Sequence, residues 1–514
     1  MQTVGIIVGG NYNEILVRQK SSYDIELGEL LICEEGSKKY LLEVCDIVYG
    51  SQISQQKMEL FSGFNLETDE KSDVFQRELR LYKLAVCKPI LMIKDGRPYS
   101  AKTIPSLFQS VRSINEQDLK GLFDKQLEIG YIRSGSKILH ETLRMDPYEI
   151  LSHHVLIPAQ TGKGKSNLVK VLIWNALKFP KISFFILDPH NEYYFGSLNE
   201  KYGLKDHENS QNILFFASSQ DSIKFRTSNV YMLKVYLDNI KPNHLIDILN
   251  LSEAQEQFAF RVYSKYKSDW ILQVFKLNEK EIEELGAQDV TVNALRRKLA
   301  FLFDIDVDFT FKSVFKKKEK EEKDSIDMIL TAIESGKSVI LDTSNLRVEQ
   351  ELLISTIIAF EIFKRFRYYK NQGMLDEKPL VTFVLEEARR VLGEDSKSNV
   401  FSSIAREGRK FKLGLIAVTQ LPSMIPREIL ANMNTKVILG IEMAKEREVV
   451  IQSSSQDIQE LSKSIASLDK GEAIVTSAFL RFAVPIYIPL FEELVRNYHK
   501  QTNFKKKEEI FDML

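Results

Sequence analysis

The residues best suited to chemistry lie in Val155–Lys170, VLIPAQTGKGKSNLVK. A short apolar run gives way to a small-residue loop, and Gly164-Lys165-Ser166 opens a helical pattern. Strand, loop and helix in that order form a phosphate cradle. Backbone N–H groups of the loop and the helix N-terminus face phosphate oxygens, the lysine reaches the β/γ-phosphates, and the hydroxyl ligates Mg²⁺. On this reading Gln160, Thr161, Gly162, Lys163, Gly164, Lys165, Ser166 and Asn167 bind ATP, and Ser166 is a metal ligand. Ala159 stands where such loops usually open with glycine. If its φ were positive, alanine there would cost about 1–2 kcal/mol. Gly336-Lys337-Ser338 repeats the three letters but follows a helical pattern and runs into Val339-Ile340-Leu341, so it reads as a turn.

A second apolar run, Val381–Leu385, ends in Glu386-Glu387. After such a strand the first acid orders the Mg²⁺ shell through water, and the second polarises the attacking water. The bland alternative is that the pair caps the next helix, since carboxylates favour helix N-termini. Asp188 and Glu192 follow another buried run and are candidate acids around the metal, at the strand ends where open α/β sheets bind ligands. His190 between them has no His/Cys cluster around it and reads as a hydrogen-bonded loop residue. Arg406 and Arg409 are three apart and would share a helical face. Alone they read as a solvated face; beside a nucleotide site shared between subunits, one becomes an arginine supplied in trans. Gln420, at the end of Leu415–Thr419, is placed to sense a γ-phosphate.

These residues need a scaffold, and the chain divides accordingly. Val4–Val8, Ile15–Arg18, Leu30–Cys33, Tyr40–Val48 and Leu79–Ile93 read as short strands separated by Gly-, Asn- and Ser-containing turns, which predicts a small barrel over residues 1–105. From about residue 140 the pattern changes to strands alternating with helices, the mark of a largely parallel α/β sheet. Its strands are Val155–Ile157, Phe184–Leu187, Val339–Leu341, Val381–Leu385, Leu415–Thr419 and Val437–Ile441. The core then spans 106–234 and 329–488, interrupted by a helical insertion without strand signal over 235–328, and a polar tail covers 489–514. Within the insertion, the mixed-charge run Lys316–Lys323 reads as solvated surface.

Lys and Arg number 70 against 71 Asp and Glu, so a nucleic-acid site has to be a local patch. Cys33, Cys45 and Cys87 show no metal spacing and read as reduced core thiols. No apolar run has membrane-span length, and Met1-Gln2-Thr3 leads straight into a strand-like segment and not a signal peptide, so the expected location is cytoplasmic, with no membrane partner.

Taken together, the blocks resemble the HerA family of hexameric DNA translocases, relatives of the FtsK DNA pumps. The resemblance is carried by Val4–Gly10, by Leu151-Ser152-His153-His154 before the loop, by Asp188–Tyr193, Glu386-Glu387-Ala388, Arg406–Phe411, Thr419–Ser423 and Gly471-Glu472-Ala473, in family order. It implies a RecA-like P-loop ATPase core, a HerA-type N-terminal β-barrel, a homo-hexameric ring, and ATP-driven movement on DNA threaded through the pore, as a helicase or translocase. It also implies a protein partner, either a NurA-like nuclease in DNA-end repair or, in antiviral defence, an effector such as a sirtuin-like enzyme or a nuclease. The other reading is an ATP-binding ring scaffold that assembles and switches an effector, with DNA movement secondary. The chain departs from the family pattern at Ala159, at His153, where a basic residue is frequent, and at Lys412, where glycine often follows the Arg-Lys-Phe run.

Overall fold

The alternating apolar runs of the first hundred residues pair antiparallel until the sheet closes on itself. Strands β1 (Thr3–Gly10), β2 (Ile15–Gln19), β3 (Leu30–Glu35), β4 (Lys38–Ser51), β5 (Leu81–Lys94), β6 (Arg97–Tyr99) and β7 (Ser110–Ser113) run in the order β2-β1-β7-β3-β4-β5-β6, and β2 also pairs with β5. All strands but β6 therefore form a closed barrel, which leaves no row of unpaired backbone groups. Val4, Ile7, Val17, Leu31, Leu42 and Val44 fill it, together with Cys33 and Cys87. All three cysteines are buried and unpaired, and burial pushes the thiols of Cys33 and Cys45 up to about 12.

The structure, a computed structural model, describes all residues except 1, 69–79, 198–199, 224–227, 247, 307–310, 312, 318–323, 394–398 and 501–514. Leu79 of the expected run Leu79–Ile93, most of the charged run Lys316–Lys323, and the end of the C-terminal tail lie outside the described residues. The chain forms two units. The first comprises Met1–Asp146, Ala159–Gly164 and Thr435–Pro489; the second comprises Pro147–Pro158, Lys165–Asn434 and Leu490–Leu514. This division is not the linear one drawn from the sequence, because the hairpin β8 (Leu127–Ser134)–β9 (Lys137–Met145) and Thr435–Pro489 group with the barrel.

The second unit is built on a parallel sheet. Its strands are β10 (Val155–Pro158), β11 (Ile182–Asp188), β12 (Ile213–Ala217), β13 (Val230–Met232), β16 (Ser338–Asp342), β17 (Leu380–Leu385) and β18 (Leu413–Thr419), with β14 (Val235–Tyr236) and β15 (Phe315–Lys316) lying between β13 and β16 in the chain. The order in the sheet is β13-β12-β16-β11-β17-β18-β10. Every residue of β10, β11, β12, β16, β17 and β18 is buried, so these largely apolar strands are covered on both faces. Crossover helices Lys165–Ala176, Val348–Asn371 and Val400–Glu407 join successive strands. Ser338 opens β16, so the second Gly-Lys-Ser is the expected turn into a strand.

Two features differ from expectation. Ile213–Ala217 and Val230–Met232 were not anticipated as strands; a buried run of five apolar residues has no periodicity to separate it from helix core. The insertion is helical, with Glu253–Tyr266, Trp270–Lys276, Glu279–Glu284 and Asp289–Phe303, but β14 and β15 pair in parallel at its two ends. Two-residue strands are too short to leave a sequence pattern.

In the first unit the remaining strands, β19 (Thr435–Ile438), β20 (Glu472–Ser477) and β21 (Val484–Tyr487), run antiparallel in the order β19-β20-β21-β8-β9. The segment expected as Val437–Ile441 is thus an antiparallel strand ending at Ile438.

Close approach of backbones fixes β18. A Cβ on Gly414 would lie 1.7 Å from the carbonyl oxygen of Leu151. Gly414→Ala is expected to destabilise the protein by about 1–3 kcal/mol, the usual cost of overpacking. Urea unfolding followed by circular dichroism measures it, and an unchanged midpoint would refute the tight contact.

Candidate functional site

A parallel sheet puts all its strand C-termini on one edge, where the polar residues of the second unit collect. Asp188 and Asp342 are register partners at the ends of β11 and β16. Glu386-Glu387 follow β17, Gln420 follows β18, and β18 in turn pairs with the strand that leads into the glycine loop.

In the first unit, the loop Ala159–Gly164 places Gly162 at φ 83° and Gly164 at φ 99°, conformations that glycine adopts without strain. Ala159 is not among the residues with positive φ, so the anticipated alanine cost does not arise. The Lys163 ammonium donates to the Leu468 carbonyl at 2.9 Å, with the Glu442 carboxylate at 3.7 Å, and the Gln160 N–H donates to the Gly440 carbonyl at 3.1 Å. Thr161 is exposed.

In the second unit, Lys165 and Ser166 occupy the first turn of helix Lys165–Ala176, whose residues from Leu168 onward are all buried. Burial lowers the pKa of the Lys165 ammonium, while the nearby Glu386 and Glu387 carboxylates oppose that shift. Burial raises Glu386 in turn, against the pull of a Tyr193 hydrogen bond and of Lys165. The Tyr193 hydroxyl donates to Oε1 of Glu386. Glu387 sits at φ 51°, left-handed for a non-glycine residue. Such backbone costs on the order of 1–3 kcal/mol and gathers at functional sites. Its Oε1 accepts from Gln420 Nε2 at 3.2 Å, and its Oε2 lies 3.3 Å from Arg389 Nε. The cap of the following helix is Ala388, without a side-chain hydrogen bond, so neither acid serves as a helix cap.

Lys165, Glu386, Glu387 and Gln420 are thus brought together, and Arg389 joins them unanticipated. Its place two residues after Glu387 was the available signal. Other candidates are used differently. The fully buried Asp188 carboxylate accepts from the N–H groups of Glu192 (3.1 Å) and Tyr193 (3.0 Å), so it organises the loop that follows β11. Asn167 Oδ1 accepts from the Phe491 N–H at 2.8 Å, which ties the P-loop helix to the C-terminal segment. Arg406 closes helix Val400–Glu407 and pairs with exposed Glu428, whereas Arg409 lies in the separate 3-10 turn Gly408–Phe411, so the two do not share a helical face. Arg409 is exposed and makes no ion pair among the described residues. Lys412 ends that turn at φ 53°, the conformation glycine would take there without strain.

Residues 127–362 match the family model of the HerA helicase central domain. The chain is 26% identical to the DNA double-strand break repair helicase HerA of Sulfurisphaera tokodaii over 505 residues, 95% of this chain and 93% of that protein. It is 27% identical to the protein of the same name from Sulfolobus acidocaldarius over 518 residues, covering 95% and 94% of the two chains. The solved plasmid coupling protein TrwB, in complex with a non-hydrolysable ATP analogue, has a TM-score of 0.48 and 12% identity, covering 74% of this chain and 93% of that one.

His154, directly before β10, ties that strand's entrance to β18: its Nδ1 accepts from the Leu415 N–H at 3.1 Å. Burial depresses its pKa to about 4. A group depressed on folding stabilises the fold above its unfolded pKa, and that stability is lost as pH falls through the folded value. His154 should therefore contribute about 3 kcal/mol above pH ~6.5 that disappears toward pH ~4. His154→Asn keeps an acceptor and tolerates the left-handed backbone at φ 62°. Urea unfolding across this range should show a shallower loss in the variant; parallel pH profiles would contradict the assignment.

Proposed function

We propose that the chain is a HerA-type P-loop protein that hydrolyses ATP with Mg²⁺ as a hexameric ring and moves DNA through its pore. The observation that carries the reading is the convergence of Lys165, in the first turn of its helix, with Glu386 and Glu387 at the end of β17. Phosphoryl transfer needs positioning and charge stabilisation more than covalent help from the protein. Lys165 supplies a cation for the β/γ-phosphates from the first turn of its helix, where backbone N–H groups also favour an anion. Glu387, gripped by Gln420 and Arg389, orients the attacking water and takes its proton. Gln420 links that acid to the γ-phosphate.

The donor set fits Mg²⁺, which with nucleotides keeps several waters and takes one or two protein ligands. Ser166 would hold it directly and Glu386 through water, and the ion would neutralise charge on the phosphate oxygens. The Arg409 side chain, free of an ion pair among the described residues, is the one to offer a neighbouring subunit; Arg406 is already paired with Glu428. The relatives' names speak of DNA repair helicases, and the DNA path here rests on that similarity. With formal charge balanced at 70 against 71, the path has to be local. Residues 1 to about 100, the N-terminal barrel, are the docking platform for a nuclease or another effector. No helix among the described residues is long and apolar enough to cross a membrane.

Lys165→Ala should reduce phosphate release to background in a folded protein. Glu387→Gln should bind ATP normally yet lose hydrolysis by about 100-fold or more, the scale of a removed general base, while Glu386→Gln should weaken binding only when Mg²⁺ is present. The opposite pattern would exchange the two roles. Double-stranded DNA should stimulate hydrolysis by the wild type; a rate indifferent to DNA would favour a ring scaffold.

Mixed rings test the shared site. Arg409→Ala and Lys165→Ala subunits combined should regain measurable activity, because some interfaces then hold an intact half from each. No recovery in rings verified as mixed would place Arg409 outside the neighbour's site.

A further inference from the structure

Tyr193 is fully buried in the loop after β11, and its hydroxyl meets the acid assigned to the metal shell. The loop is tightly fixed. The Tyr193 N–H donates to Asp188 Oδ2 at 3.0 Å, the Glu192 N–H to Asp188 Oδ1 at 3.1 Å, and the Leu204 N–H to the Tyr193 carbonyl at 2.9 Å. A glutamate carboxylate turns easily about its last torsion, which has only broad, two-fold preferences. A strand end therefore places the Glu386 carbon chain but not the plane of its oxygens. A phenol fixed on an independent loop and bonded to Oε1 does set that plane, and it leaves Oε2 to other donors.

We propose that Tyr193 is a positioning residue for the Mg²⁺ shell. By holding Oε1 of Glu386 it presents Oε2 to a metal-bound water, and Asp188 acts at one remove by fixing the Tyr193 backbone. This rests on the ATPase reading above and deepens it.

The test is equilibrium binding of a fluorescent, non-hydrolysable ATP analogue to the full chain, titrated with MgCl₂ or held in EDTA. Tyr193→Phe keeps the buried ring and removes only the hydroxyl. It should raise the half-saturating Mg²⁺ concentration roughly 10- to 150-fold, the scale of one hydrogen bond to a charged group, with affinity in EDTA within about twofold of wild type. In a Glu386→Gln background the same substitution should add less than about twofold, because the carboxylate it orients is gone. An unchanged Mg²⁺ requirement in Tyr193→Phe overturns the proposal. So does an equal loss of affinity with and without Mg²⁺, which would mark the hydroxyl as merely structural. If the wild type binds the analogue equally with and without Mg²⁺, the metal-dependent ATPase reading itself fails, an outcome distinct from failure of the Tyr193 role alone.

Discussion

Carboxylates buried or half-buried along one edge of a parallel sheet set the terms for the second unit. A buried charge without partners costs more than the few kcal/mol by which a domain is stable. Each acid at the strand ends therefore commands a set of donors. Asp342 accepts from the N–H and hydroxyl of Ser218 (3.0 and 2.7 Å) and of Ser344 (3.0 and 2.6 Å). Asp188 takes two backbone N–H groups, and burial still pushes its pKa up to about 7. Glu386 has the Tyr193 hydroxyl and the field of Lys165; Glu387 has Gln420 and Arg389. The loops that wrap this edge are held by the acids they satisfy, so the geometry for phosphate chemistry and the stability of the loops have one origin.

The same logic explains the strained backbone. Glu387, His154 and Lys412 all adopt positive φ without being glycine. Each is tied by its side chain: Glu387 by Gln420 and Arg389, His154 by the Leu415 N–H, and Lys412 by donation to the carbonyls of Asp376 (3.1 Å) and Lys378 (3.3 Å). Tertiary hydrogen bonds offset a local cost that isolated peptides would avoid. At Lys412 this accounts for a residue other than glycine at that position.

The first unit is held across great sequence distance. Cys45 of β4 packs in one cluster with Ile438, Ile465, Leu468 and Ile474. Lys88 reaches Glu460 at 2.8 Å, and Lys463 reaches Asp46 at 2.5 Å. Glu43 is only 3% exposed and is pushed up to about 8 by burial, while buried Arg133 stands 3.6 Å from Glu472. Residues near the start and end of the chain thus share a core, and a reading that cuts the chain into consecutive segments does not find that core.

By itself the sequence determined the local grammar of this protein: a barrel from alternating runs, a parallel sheet from strands alternating with helices, a glycine loop before Lys165, and an acid pair after an apolar strand. These are visible because each depends on neighbours within a few residues, through backbone conformation or the period of side-chain burial. It also separated the glycine loop before Lys165 from the copy at Gly336, since only the first has a strand before it and a helix after it. What tertiary structure alone decided is which polar residues meet. Arg389 and Tyr193 joined the acid pair, Asp188 and Asn167 turned to backbone groups, Arg406 and Arg409 fell on different elements, and residues 435–489 joined the barrel. Those outcomes follow from the order of strands in a sheet and from the partners that burial demands. Strand order and burial bring together residues tens to hundreds of positions apart, and no local pattern encodes such a meeting.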